Sequence, residues 1–175
     1  MLTVTHILPA DPTATVAAEL ALTAHERTRS RHRFVATDGT PVQLQLPRGS
    51  LVRGNSLLAN GEGQRVRVVA KPEPVLRVTA TSALALARAA YHLGNRHVPL
   101  EIAPDSLTLE PDAVLEAMLN QLGDLTVQAL ELPFEPEAGA YHGGHAQADP
   151  DGSHVHKSHI HESHTHESHT HHPGG

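Results

Sequence analysis

The chain has 175 residues, 39% hydrophobic and only 2% aromatic, so any core must be built from Leu, Val, Ile and Ala. It has no cysteine, which excludes disulfides, thiolate catalysis and Cys-based zinc sites. A formal net charge of −6 with neutral histidines argues against a general nucleic-acid binder, which carries a basic footprint.

MLTVTHILPADPT lacks the basic start and apolar stretch of a signal peptide. Nothing further along approaches the ~18 apolar residues of a membrane span. A cytoplasmic protein with no membrane partner is the expectation. Residues 1–70 read as a β-rich N-terminal domain. LTVTHIL alternates with period two, and RHRFVA–TDGT–PVQLQL is a hairpin turning at Asp38-Gly39. The bursts SLV, SLLA and VRVVA follow, separated by Arg-Gly-Asn, Asn-Gly and Gly-Glu-Gly, and such turns suit a small barrel or sandwich.

KPEP at 71–74 has the composition of a linker, because two prolines serve a central strand poorly. The pattern then changes. VLRVT reads as a strand, and SALALARAAYHL as a helix with Ser82 as N-cap and Gly94 as its stop. VPLEI and SLTLE are short strands. PDAVLEAMLNQLG is a second helix, with Pro111 in its first turn and Gly123 at its end, and DLTVQALEL is a closing strand. The order βαββαβ over roughly 73–133 predicts a ferredoxin-like domain, here taken as 71–138. The whole is an α+β chain. From 139 to 175 hardly an aliphatic residue occurs, which predicts a disordered tail unable to bury enough surface to offset its ordering entropy.

That tail holds eleven of the sixteen histidines: His142, His145, His154, His156, His159, His161, His164, His166, His169, His171 and His172. Ser-His-x-His-x repeats from Ser153, Ser158, Ser163 and Ser168. Imidazole suits Ni(II), Cu(II) and Zn(II) and binds only when neutral, so a solvated site with pKa ~6.5 loads near neutral pH and empties on mild acidification. The repeated pairs are near-equivalent, which describes a buffer rather than a rigid catalytic site. The competing reading is a purification tag or a low-complexity tail without function. A usual tag is an unbroken histidine run, whereas this one is interleaved with Ser, Thr and Glu.

YHLGNRHVPLEI, residues 91–102, places His97 in a loop just before a strand. A lone imidazole cannot hold a divalent ion securely, but two copies meeting at a two-fold axis would supply two ligands. This stretch, together with DAVLEAMLNQLG, LPFEPEAGAYHGGH and the histidine-rich end, closely resembles the urease accessory nickel chaperones of the UreE family. The resemblance spans essentially the whole chain. It implies a homodimer that carries Ni(II) at the interface of its second domains. It also implies delivery to apo-urease through an accessory GTPase and other accessory proteins. His97 matches the interface ligand of the GNRH motif, and His142 or His145 would complete the site. Some members have two further histidines before the second helix. TLEPDAV offers Glu110, Pro111 and Asp112 instead, so a second site on the folded domain is not expected.

Arg27, Arg29, Arg31 and Arg33 alternate in ERTRSRHRF and would share one face of a strand, either as a docking surface for an acidic partner or as a solvated face. His92 suits a packing or capping role, and His6, His25 and His32 have no partner at ligand spacing. Asp105, Glu110 and Asp112 precede a helix N-terminus, which acids favour. The chain has no P-loop, HExxH or GxSxG, so no enzyme is expected. A storage or detoxification protein acting through the tail is the alternative function. A metal-dependent regulator is disfavoured, for no helix-turn-helix or basic DNA face is evident.

Overall fold

The computed structural model describes residues 1–138, which form eleven strands and three helices. LTVTHIL divides at Thr5, so that β1 (Leu2–Val4) and β2 (His6–Leu8) enter different sheets. β1 runs parallel to β5 (Pro41–Gln45), which pairs antiparallel with β4 (Arg31–Val35) on its other side. The last two are the expected hairpin, with Gly39 at φ +86°, a turn conformation that costs glycine no side-chain clash.

The second sheet has the order β2, β6 (Leu57–Ala59), β7 (Arg65–Ala70), β3 (Ala18–Leu22). β3 escapes a propensity reading because alanine and glutamate are depleted in strands. Tertiary pairing overrides that preference. β3 lies parallel to β7 and buries Ala18, Leu20 and Leu22. Val4 and Leu44 from one sheet meet Leu20, Val66 and Val68 from the other in a single core. The SLV burst forms no strand, although Val52 joins that core from a loop.

The second half is β8 (Pro72–Ala80), α2 (Ala83–Gly94), β9 (Glu101–Ile102), β10 (Ser106–Leu109), α3 (Ala113–Leu122) and β11 (Leu125–Pro133). The sheet order β11-β8-β10-β9 makes this βαββαβ unit ferredoxin-like. Leu76 and Val78 of β8 and Leu107 and Leu109 of β10 pack with Ala89 and Leu93 of α2 and Leu119 of α3. Period-two alternation therefore leaves Val75, Arg77, Ser106 and Thr108 on the face away from the helices.

Two local readings are corrected. KPEP is not a linker, since Pro72 and Pro74 lie within β8 and pair with Pro133 and Glu131 of β11. Here β8 has a ladder on one side only, because β10 reaches no further than Leu76. Prolines two residues apart direct their missing N–H toward the same side, and the unpaired side tolerates both. Pro111 also precedes its helix rather than occupying its first turn. Asp112 is the N-cap of α3, and its carboxylate accepts from the amides of Val114 (2.8 Å) and Leu115 (2.9 Å). Asp112→Ala is expected to cost about 1 kcal/mol, measurable as a lower denaturant midpoint at unchanged slope.

Candidate metal centre

The end of α2 decides how His97 is presented. Gly94 is not the stop. It is the last helical residue, and Asn95 follows at φ −63° as the C-cap. The chain closes two residues later, where the His97 amide donates to Gly94 O (2.9 Å) and the Val98 amide to Leu93 O (3.3 Å). This is the two-bond Schellman closure, whose penultimate residue takes a left-handed conformation and is usually glycine. Here that residue is His97, at φ +56°. Val98 packs into the cluster containing Leu93, the apolar contact that accompanies such a closure. The imidazole itself is exposed. An L-residue in this conformation costs about 1–2 kcal/mol, so the chain tolerates strain where glycine would relieve it. Asn55 (φ +65°) and Asp124 (φ +56°) share this conformation, and His97 is the one of the three that carries an imidazole.

The helix leading to His97 presents apolar groups to solvent. Leu84 is 62% and Tyr91 66% exposed, with Ala87 between them on the same face. His92 is half-buried, its ring edge-on to Tyr91 at 5.5 Å, and its carbonyl accepts from Arg96 at 2.9 Å. The three N-terminal histidines find local neighbours. His6 Nδ1 lies 2.8 Å from Thr5 Oγ1, His25 accepts from Arg29 at 3.2 Å, and the His32 ring lies tilted against Phe34 with centroids 4.6 Å apart. Among the described residues no group of three or more His, Asp or Glu stands ready to hold a metal ion. His142, His145, His154, His156, His159, His161, His164, His166, His169, His171 and His172 lie outside the described residues.

PFEPEA, residues 133–138, forms a strap that no local sequence signal announces. Phe134 is fully buried with Val75 and Ala24, the latter in α1 (Ala24–Arg27), a short helix whose N-cap Thr23 forms a capping box with Glu26. Glu135 Oε1 accepts from the Gly54 amide (2.7 Å) and from the Arg27 guanidinium, which also donates to Phe134 O. Oε2 lies 3.5 Å from Arg53, which donates to Pro136 O at 2.8 Å. In the other direction, the Glu135 amide donates to Glu101 Oε2 (2.7 Å) and the Glu137 amide to Leu100 O (2.7 Å). Because β11 and β9 are the two outer strands of their sheet, the strap crosses the helix-free face and ends three residues past His97.

The strap also breaks the proposed arginine stripe. Arg27 is 4% exposed at the end of α1, Arg29 lies beyond that helix, and only Arg31 and Arg33 share a face of β4. Alternate spacing misled because the residues up to Arg27 fold as a capped helical turn rather than a strand.

The comparisons with known proteins agree with this architecture. The N-terminal domain model of UreE urease accessory protein matches residues 4–71, and the C-terminal domain model matches residues 73–172. The chain belongs to the UreE family of urease accessory proteins. The urease accessory protein UreE of Nostoc sp. strain PCC 7120 is 51% identical over 142 residues, covering 81% of this chain and 96% of that relative. The UreE of Nostoc punctiforme is 54% identical over 142 residues, with 81% and 95% covered. That of Ralstonia nicotianae is 54% identical over 129 residues, with 74% and 61% covered. As a UreE, the chain serves urease maturation as an accessory chaperone rather than as a member of a catalytic family, and its role implies contact with other maturation components. Among the described residues no helix is long and apolar enough to cross a membrane.

Proposed function

We propose that this UreE is a cytoplasmic nickel metallochaperone. Two copies of His97, one from each protomer of a homodimer, hold Ni(II) as cargo, and His142 or His145 completes the site. The ion passes through the accessory GTPase to apo-urease. The tail histidines from His154 to His172 gather and buffer further ions. Residues 1–70 serve partner binding, 71–138 metal binding and dimerisation, and 139–175 storage.

The observation that carries this reading is His97 itself, an exposed imidazole at a left-handed position where glycine would be more stable. A second copy would supply the missing ligand and cover Leu84 and Tyr91 on the helix that ends beside it. The strap supports the tail's part. Glu137 is bonded to Leu100, three residues from His97, and five residues from Glu137 to His142 span up to about 18 Å. Both His142 and His145 are therefore within reach. Histidine ligands without thiolate also suit a site that must release its ion. They leave Zn(II) and Cu(II) as competitors.

The test is calorimetric nickel titration at about pH 7.5, where a histidine of ordinary pKa ~6.5 is neutral. It compares the full chain, a chain ending at His145, and the shorter chain with His97→Ala. The match to the Nostoc sp. relative spans 142 residues and 96% of that relative, so the truncated chain is similar to it in length. The shorter chain is expected to keep one tight nickel per dimer and to lose it with His97→Ala. Loss of all binding on truncation would instead favour a storage protein working through its tail.

A further inference from the structure

Glu135 joins two sets of contacts that belong to different halves of the molecule. On one side are Arg27, Arg53 and Gly54 from the N-terminal half. On the other is Glu101, whose carboxylate accepts from the Glu135 amide, and two residues on the Glu137 amide donates to Leu100 O, so the strap is tied to the segment that follows His97. We propose that Glu135 is a positioning residue for the nickel loop: it clamps the strap against the N-terminal half and thereby holds the Leu100–Glu101 segment, and with it His97, in its metal-holding place. This rests on the reading of His97 as a nickel ligand.

Three features argue for a clamp with a defined geometry. Gly54 leaves room for the carboxylate, since a Cβ added there would meet Glu135 Oε1 at 2.5 Å and Ala70 Cβ at 3.2 Å. Arg27 is 4% exposed with its Nε unpartnered among the described residues, while Glu135 is 30% exposed. A pair with one partner buried is weak evidence for stability, because desolvation offsets attraction, but it favours one arrangement over others. The transmission distance is also short. Between Leu100 and His97 stand only Val98, held in the second core, and Pro99, whose φ is fixed by its ring. A shift of the strap therefore has little slack to absorb it before it reaches the left-handed residue.

Two full-length variants test the clamp. Glu135→Gln keeps the shape and removes the charge. Arg27→Met removes the opposite partner and leaves a flexible apolar side chain in the buried site. Two quantities are read for each: hydrogen exchange at the Glu135 and Glu137 amides against the Val78 and Leu107 amides, and the rate of nickel transfer to a chelator. His97→Ala identifies the fraction of nickel that depends on that ligand. Both variants are expected to speed exchange in the strap about tenfold while the sheet amides stay protected. Release of the His97-dependent fraction should quicken about tenfold, with the remaining fraction unchanged. Faster strap exchange with unaltered release would overturn the proposal and leave Glu135 as a joint between halves. Loss of protection throughout the sheet in both variants would overturn it too, by making the role one of general stability. If His97→Ala removes no nickel fraction, the nickel reading fails and the clamp fails with it.

Discussion

Replacing His97 with glycine is expected to make the protein more stable and unable to hold its tight nickel. Relief of the left-handed conformation returns about 1–2 kcal/mol, and glycine's greater chain entropy takes back about 0.5–1 kcal/mol. The net gain of roughly 0.5–1 kcal/mol should raise the metal-free Tm by about 1–4 °C. The tight affinity should fall by more than the roughly 10–100-fold that follows loss of a group merely supporting a ligand. His97→Ala separates the two effects, because alanine deletes the ligand and keeps the strain, so binding should fall without the gain in Tm. Calorimetric melting and nickel titration of both variants provide the check. If His97→Gly keeps its nickel, the imidazole is a solvated loop residue and the strain at φ +56° has no bearing on metal. Stability given up at one residue and recovered on its removal is the usual mark of a functional position.

The second large effect is expected at Phe134→Ala. Phe134 is fully buried, and its cluster holds Ala24 of α1, Val75 of β8 and partly buried Leu132 of β11, so few atoms are free to collapse into the space. Loss of a buried phenylalanine side chain typically costs 3–5 kcal/mol. The upper part of that range applies if the strap lifts and takes Glu135 away from Arg27. Chemical denaturation of the full chain measures this directly. A loss under about 1 kcal/mol would mean that the cluster refills and the strap contributes little to the joint between halves.

The two variants probe different links between sequence and function. At His97 the backbone conformation is unfavourable and the side chain is solvated, so its replacement tests what the imidazole does. At Phe134 the side chain is the packing, and binding should change only through the strap it anchors. The N-terminal histidines belong to neither group, for local contacts with Thr5, Arg29 and Phe34 account for them.

Much of the fold is legible in the sequence because its signals act within a few residues. Ser82 caps α2 by accepting from the Ala85 amide three residues on, and Gly123 ends α3 at φ +69°. Asp38-Gly39 turns the β4–β5 hairpin, and alternating Leu and Val in β8 and β10 select the buried face. The βαββαβ order follows from these local choices. His97 was identifiable as a candidate from the GNRH resemblance, while its left-handed backbone was not, because Gly94 stands three residues earlier and attracts the stop. The physical role of the strap is hidden in the sequence for the same kind of reason. Its key contacts reach from Glu135 back to Arg27, 108 positions away, and to Gly54, 81 positions away. No periodicity or capping rule spans such separations.

The sequence by itself thus determined the two longer helices, the hairpin, the order of the second half and the chemistry of the candidate ligands, all of which depend on local dihedrals and side-chain type. Only the tertiary structure decided that LTVTHIL serves two sheets, that AELAL is a strand, that Arg27 is buried, and that the chain leaving Glu137 starts beside the His97 loop. Those outcomes rest on pairing, burial and hydrogen bonds between segments distant in the chain, which form only once the sheets are packed together.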